Sequence, residues 1–186
     1  MYYAGGKLDF TLIDADRLRA APCDRPYEVL LDKDGHGRSI RDATGTAAPP
    51  TQNEFDEAAN WGYAAALMLA KALVREELWA AKFRDNDLKV ELLRIIEWDH
   101  QARYGDDYDT RYLGTRMNEW MDPDVREALH GCWGHLDTAD SASALRETLL
   151  IFAELASRLA SSHEFVDFDH VRLWEEIESI FALGDL

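Results

Sequence analysis

"AANWGYAAALMLAKALV", residues 58–74, is the longest nearly uncharged run in the chain, and its reading decides the fold. A membrane span needs ~20 apolar residues; this run is shorter and carries Lys71, so it reads as a helix buried in protein. No membrane partner is expected. Just upstream, Thr51 or Asn53 offers a side-chain oxygen to the free amides of a first turn. Phe55, Ala59, Gly62, Ala66, Leu69 and Leu73 then follow at the spacing of one helix face. The pattern predicts a helix running to about Phe83.

Helical spacing continues to the end of the chain. "DNDLKVELLRIIEWDHQARYG" (85–105) puts Leu88, Leu92, Ile95 and Ile96 on an inner face and ends on Gly105, a residue suited to a helix C-terminus. Shorter helices are expected over about Arg111–Trp120 and Asp124–Cys132, a long one over about Ala142–Ser161 and a last over about Asp169–Leu183. Six helices with short connections predict a bundle.

The first 45 residues read differently. "KLDFTLI" (7–13) alternates apolar and polar residues, "YEVLLD" (27–32) is β-rich, and "DKDGHG" (32–37) is a turn of Asp and Gly. "RSIRDATGTAAPPTQ" (38–52) is a linker. The expected fold class is therefore α+β, with two to three strands in residues 1–45 and a helical domain in 50–186. Two strands alone are marginal, so an exposed edge invites a second copy or a strand-completing partner.

At 186 residues and 47% hydrophobic content the chain can bury a core, and its net charge of −16 argues against nucleic acid, whose phosphates are held by Lys and Arg. An acidic surface suits a small polycation. Cys23 and Cys132 form no CxxC pair, and "MYYAGGKLDF" has no basic stretch leading into an apolar one, so a cytoplasmic setting is expected. The calcium-loop pattern of Asp32, Asp34 and His36 fails at its last ligand position, where Ala43 stands. His130 and His135 are five apart, not the four that would put two imidazoles on one helix face, and no Gly-x-Ser-x-Gly elbow or phosphate-cradling glycine loop is present. Two charged residues stand out. Asp9 lies on the first expected strand, either facing water or serving a metal site with partners; Lys71 either snorkels from its apolar helix or meets an anion such as a phosphate.

Taken in order, "GGKLDFTLI", "VLLDKDG", "AKALVREELWAAK" and "ELLRIIEW" resemble segments of the aminoglycoside 6-adenylyltransferases, the streptomycin adenylyltransferase family, over about residues 5–176. The resemblance implies a nucleotidyltransferase palm followed by a helical C-terminal domain. It implies transfer of AMP from Mg-ATP to a hydroxyl of an aminoglycoside, the chemistry of antibiotic resistance. In that family two acids in an Asp-x-Asp after Gly-Ser bind magnesium, and a third lies beside them. Asp9 matches the third, as a catalytic and metal-binding carboxylate whose partners are absent from this chain. Lys71 is then the candidate nucleotide-phosphate ligand, and Glu54, Asp56, Glu57, Glu76 and Glu77 are candidates for the cationic drug. Because no Gly-Ser, and so no Asp-x-Asp following one, occurs in these 186 residues, the Asp-Ala-Asp at 14–16 following the first expected strand and the Asp-Lys-Asp at 32–34 lying in a turn, residues 1–45 are expected to be a remnant of the palm and the chain weak or inactive alone. The alternatives are a non-catalytic helical binding module and a truncated gene product.

Overall fold

The computed structural model describes residues 2–3, 6–7, 10–14, 16–17, 28–37 and 48–186. Two units separate, residues 1–47 and 48–186. In the first, Tyr2–Tyr3 (β1) pairs antiparallel with Gly6–Lys7 (β2), Tyr2 opposite Lys7 and Tyr3 opposite Gly6.

That two-residue ladder corrects the α+β expectation. Phe10–Asp14 and Glu28–Asp32 form no strand, and Leu12 is 99% exposed, so the alternation that predicted strands has neither a ladder nor a buried face to realise it. Among the described residues the partial palm is not present and the fold is helical. Asp9 lies outside the described residues. The Asp–Gly turn does form: the Asp32 carboxylate accepts the N–H groups of His36 and Gly37, each at 2.9 Å, and Gly35 takes φ +75°.

The second unit has six α-helices: α1 (Gln52–Val74), α2 (Leu78–Tyr104), α3 (Met117–Trp120), α4 (Pro123–Ala128), α5 (Thr138–His163) and α6 (His170–Ala182). Short 3-10 turns at Tyr112–Gly114 and Leu129–Cys132 precede α3 and follow α4. Thr51 caps α1 reciprocally with Glu54: its side chain accepts the Glu54 N–H while its own N–H donates to the Glu54 carboxylate at 2.8 Å.

α1 stops at Val74 instead of running to Phe83. Glu76 takes a left-handed φ of 55°, the Glu77 N–H bonds the Ala72 carbonyl and the Glu76 N–H that of Leu73, the paired bonds of a Schellman ending. The chain thereby reverses, and α2 packs antiparallel along α1. Glycine usually fills the left-handed position, and a glutamate there leaves no signal in the sequence.

The core runs along α1, α2 and α5, through Phe55, Leu69, Leu88, Ile95, Phe152 and Leu155. Gly62 lets α1 approach α5 closely, since a Cβ there would meet Phe152 Cζ at 2.8 Å. On the same side, the Tyr63 hydroxyl bonds His170 Nδ1; His170 Nε2 faces Asp167 at 2.9 Å, and Asp167 accepts the Ser157 hydroxyl at 2.6 Å. This chain ties α6 to α1 and α5.

Three of the buried charged residues on α2, Asp85, Lys89 and Asp99, are fully paired. Lys89 bonds Asp85 at 2.6 Å and Thr148 of α5 at 2.8 Å, with the Trp133 ring at 5.3 Å. Asp99, 1% exposed, accepts two bonds from Arg158 of α5 (2.6 and 2.8 Å) and two from Arg103 (2.8 and 3.1 Å). Arg103 also reaches Asp122 at 2.6 Å, and Asp122's own N–H donates to the buried His100 at 3.0 Å. Removing one partner of such a buried set strands the others. Asp99→Asn should lower the stability of the helical unit by about 3 kcal/mol, measured by urea denaturation, and a loss under about 0.5 kcal/mol would contradict the arrangement.

Candidate functional site

Trp61, Ala65 and Met68 are spaced i, i+4, i+7 on α1, and Asp87, Val90 and Glu91 are spaced i, i+3, i+4 on α2. Such spacings put each set on one helix face, and the antiparallel hairpin sets the two faces side by side. They enclose a groove of about 230 Å³. Apolar residues form its walls: Trp61 is 59% exposed, and Met68 and Val90 are also open to solvent.

Its polar residue of interest is Glu91, 9% exposed. One carboxylate oxygen, Oε2, is buried and has no hydrogen-bond partner. Arg94 Nη1 lies 3.0 Å from it, close enough for an ion pair but out of line for a hydrogen bond. Burial pushes the Glu91 carboxyl above its ordinary range; Arg94 opposes the shift and Glu57, one α1 turn before Trp61, adds to it. Arg94 in turn sits over the Trp98 ring, 5.9 Å from its centroid. Beyond it, burial drives the Glu97 carboxyl up to about 7 against the pull of Arg94. A buried carboxylate oxygen without an aligned donor, beside an open indole face, is an arrangement that accepts a cation.

The residues singled out from sequence do not converge here. Glu54 is held in the α1 cap, where the Thr51 amide and hydroxyl keep its carboxyl below the usual range, and Asp56 accepts the Gln52 amide at 2.7 Å. Glu76 and Glu77 stand in the turn at the far end of α1, about 33 Å from Glu54 at 1.5 Å per residue, with Glu77 bonded to Arg75 at 2.8 Å. Glu57 is the one of the five whose charge acts on the groove. Lys71 is exposed in the last turn of α1, three residues past Met68, where its charge complements the negative end of the helix. Trp61, Asp87, Glu91, Arg94 and Glu97 were not singled out. Glu91 is the one with a signal, a carboxylate beside Leu92 in a run of core positions.

Among the described residues no group of three or more His, Cys, Asp or Glu could hold a metal ion. Nor is any helix there long and apolar enough to cross a membrane.

The pH dependence follows from Glu97. Its carboxyl titrates higher in the fold than in the unfolded chain, so its contribution to stability is complete below about pH 4 and is lost as pH rises to about 7. Glu97→Gln should abolish that slope and stabilise the protein at pH 8 by about 2 kcal/mol. Thermal melts of both proteins from pH 4 to 8 test this; parallel curves would refute it.

A family model described as streptomycin adenylyltransferase matches residues 1–176. Among solved structures, the crystal structure of an aminoglycoside 6-adenyltransferase from Bacillus subtilis aligns with a TM-score of 0.65 at 18% identity, covering 72% of this chain and 51% of that one. At that identity the likeness is one of fold, and this chain spans about half the length of the Bacillus protein. No curated protein matches. With the family model covering 176 of its 186 residues, the chain belongs to the streptomycin adenylyltransferase family.

Proposed function

We propose that the helical unit binds a cationic aminoglycoside in the α1–α2 groove, for adenylylation of a drug hydroxyl with ATP. The observation that carries this reading is the buried oxygen without a hydrogen bond on Glu91, a residue that lines the groove together with Trp61. A guanidinium or ammonium of the drug would pair with Glu91, assisted by Asp87 and by the field of Glu57, and lie against the indole. The family assignment supports the substrate class. The chain's net charge of −16 would speed the arrival of a polycation.

In the transfer step the drug hydroxyl attacks the α-phosphorus of ATP and pyrophosphate leaves. The hydroxyl proton passes to a base, the role proposed for Asp9, and Lys71 is proposed to pair with a phosphate oxygen. The family's chemistry implies magnesium, but the described residues do not fit a metal site, so no step is assigned to it. Transfer by this chain alone is proposed to be weak.

Calorimetric titration with streptomycin should show one site, with affinity reduced about tenfold or more in Glu91→Gln. Equal affinity in the variant, or no binding, would overturn the groove assignment. Radiolabelled ATP with streptomycin should yield little product; substantial turnover that Asp9→Ala abolishes would overturn the proposed inertness while supporting the role of Asp9.

A further inference from the structure

Arg94 stands between two carboxyl groups, three residues after Glu91 and three before Glu97, so both are its neighbours on the helix surface. It serves neither fully. Its contact with Glu91 is 3.0 Å but lacks hydrogen-bond alignment, and its guanidinium lies over the Trp98 ring, 5.9 Å from the centroid, with the side chain 42% exposed.

We propose that Arg94 is a resident substitute for the ligand's cation: it neutralises Glu91 until a guanidinium enters the groove, then turns to Glu97, which releases a proton. The inference rests on reading the groove as a cation site. The exchange balances in charge. On this proposal Glu91 keeps its charge throughout: before binding Arg94 faces it and Glu97 holds a proton part of the time; afterwards the ligand's positive charge meets Glu91, Arg94 meets an ionised Glu97, and the Glu97 proton passes to solvent. One positive charge enters and up to one leaves, so the low-dielectric groove gains little net charge.

The surrounding groups fit this exchange. Glu57 from α1 keeps the field at Glu91 negative, which favours an incoming cation once Arg94 has moved, while Asp87 in the groove is paired with Arg84 at 2.9 Å. The charged group acting on Glu97 is Arg94 itself, opposing a burial that holds the carboxyl near neutrality. A closer Arg94 would therefore ionise it.

Streptomycin binding measured at pH 7 in two buffers of different ionisation enthalpy should release about half a proton per ligand. In Glu97→Gln the release should vanish while binding remains. In Arg94→Ala, with the internal competitor gone, binding should tighten roughly 3–10-fold. Unchanged release in Glu97→Gln, or weaker binding in Arg94→Ala, overturns the proposal. Carboxyl carbon-13 NMR with methylguanidinium as probe separates it from the drug assignment. If streptomycin does not bind but methylguanidinium moves the Glu91 and Glu97 signals together, the drug assignment fails and the exchange stands. If methylguanidinium moves Glu91 alone, or neither, the exchange is wrong.

Discussion

The helical unit depends on one buried carboxylate. Asp99 lies near the end of a 27-residue helix and takes guanidinium bonds from α5 and from its own last turn. A charge so deeply buried is tolerable only if its oxygens are fully engaged. Two arginines meet that requirement, and in meeting it they fix α2 against α5. Arg103 then extends the constraint to Asp122, at the start of α4, and His100 anchors the same residue through its backbone. The segment between α2 and α4 contains three non-glycine residues in left-handed conformations, Arg111, Leu113 and Arg116. Such backbone is costly unless both ends are held, and the Asp99 cluster holds them.

Much of this architecture could be read from residues. The Thr51 cap, the buried face of α1 and the apolar positions Leu88, Leu92, Ile95 and Ile96 follow from local chemistry acting at one period, which a linear sequence displays. The reversal at Glu76 could not be read. No glycine or proline marks it, and the turn is set by the tertiary gain from laying α2 along α1. The expected strands failed for the opposite reason: "KLDFTLI" has the right period, but period alone does not supply a neighbour for the ladder.

The candidate site divides along the same line. Acidic residues at the ends of α1 were conspicuous in sequence, yet they are engaged in capping or lie beyond one another's reach. Glu91 was inconspicuous because its significance depends on a helix running the other way. A groove between antiparallel helices is made by residues some 25 positions apart, and no local spacing announces it. Trp61 is a comparable case, since an exposed indole matters only once the carboxylate opposite is known.

Gly62 has a consequence that reaches this groove from the adjoining face of α1, where a Cβ would stand 3.5 Å from the Glu91 Cβ. It lies between Trp61, which faces the groove, and Tyr63, which bonds His170, and it seats the helix against Phe152. A helix in close contact at a glycine and pinned by the next residue's hydroxyl cannot turn about its own axis: a one-residue rotation of about 100° would break the tyrosine bond and drive a side chain into the phenylalanine ring. The azimuth of α1 is therefore indexed at Gly62 and Tyr63, and the neighbouring indole inherits that setting. The C-terminal helix, which contributes nothing to the groove lining, thus determines the direction in which the groove's aromatic wall faces.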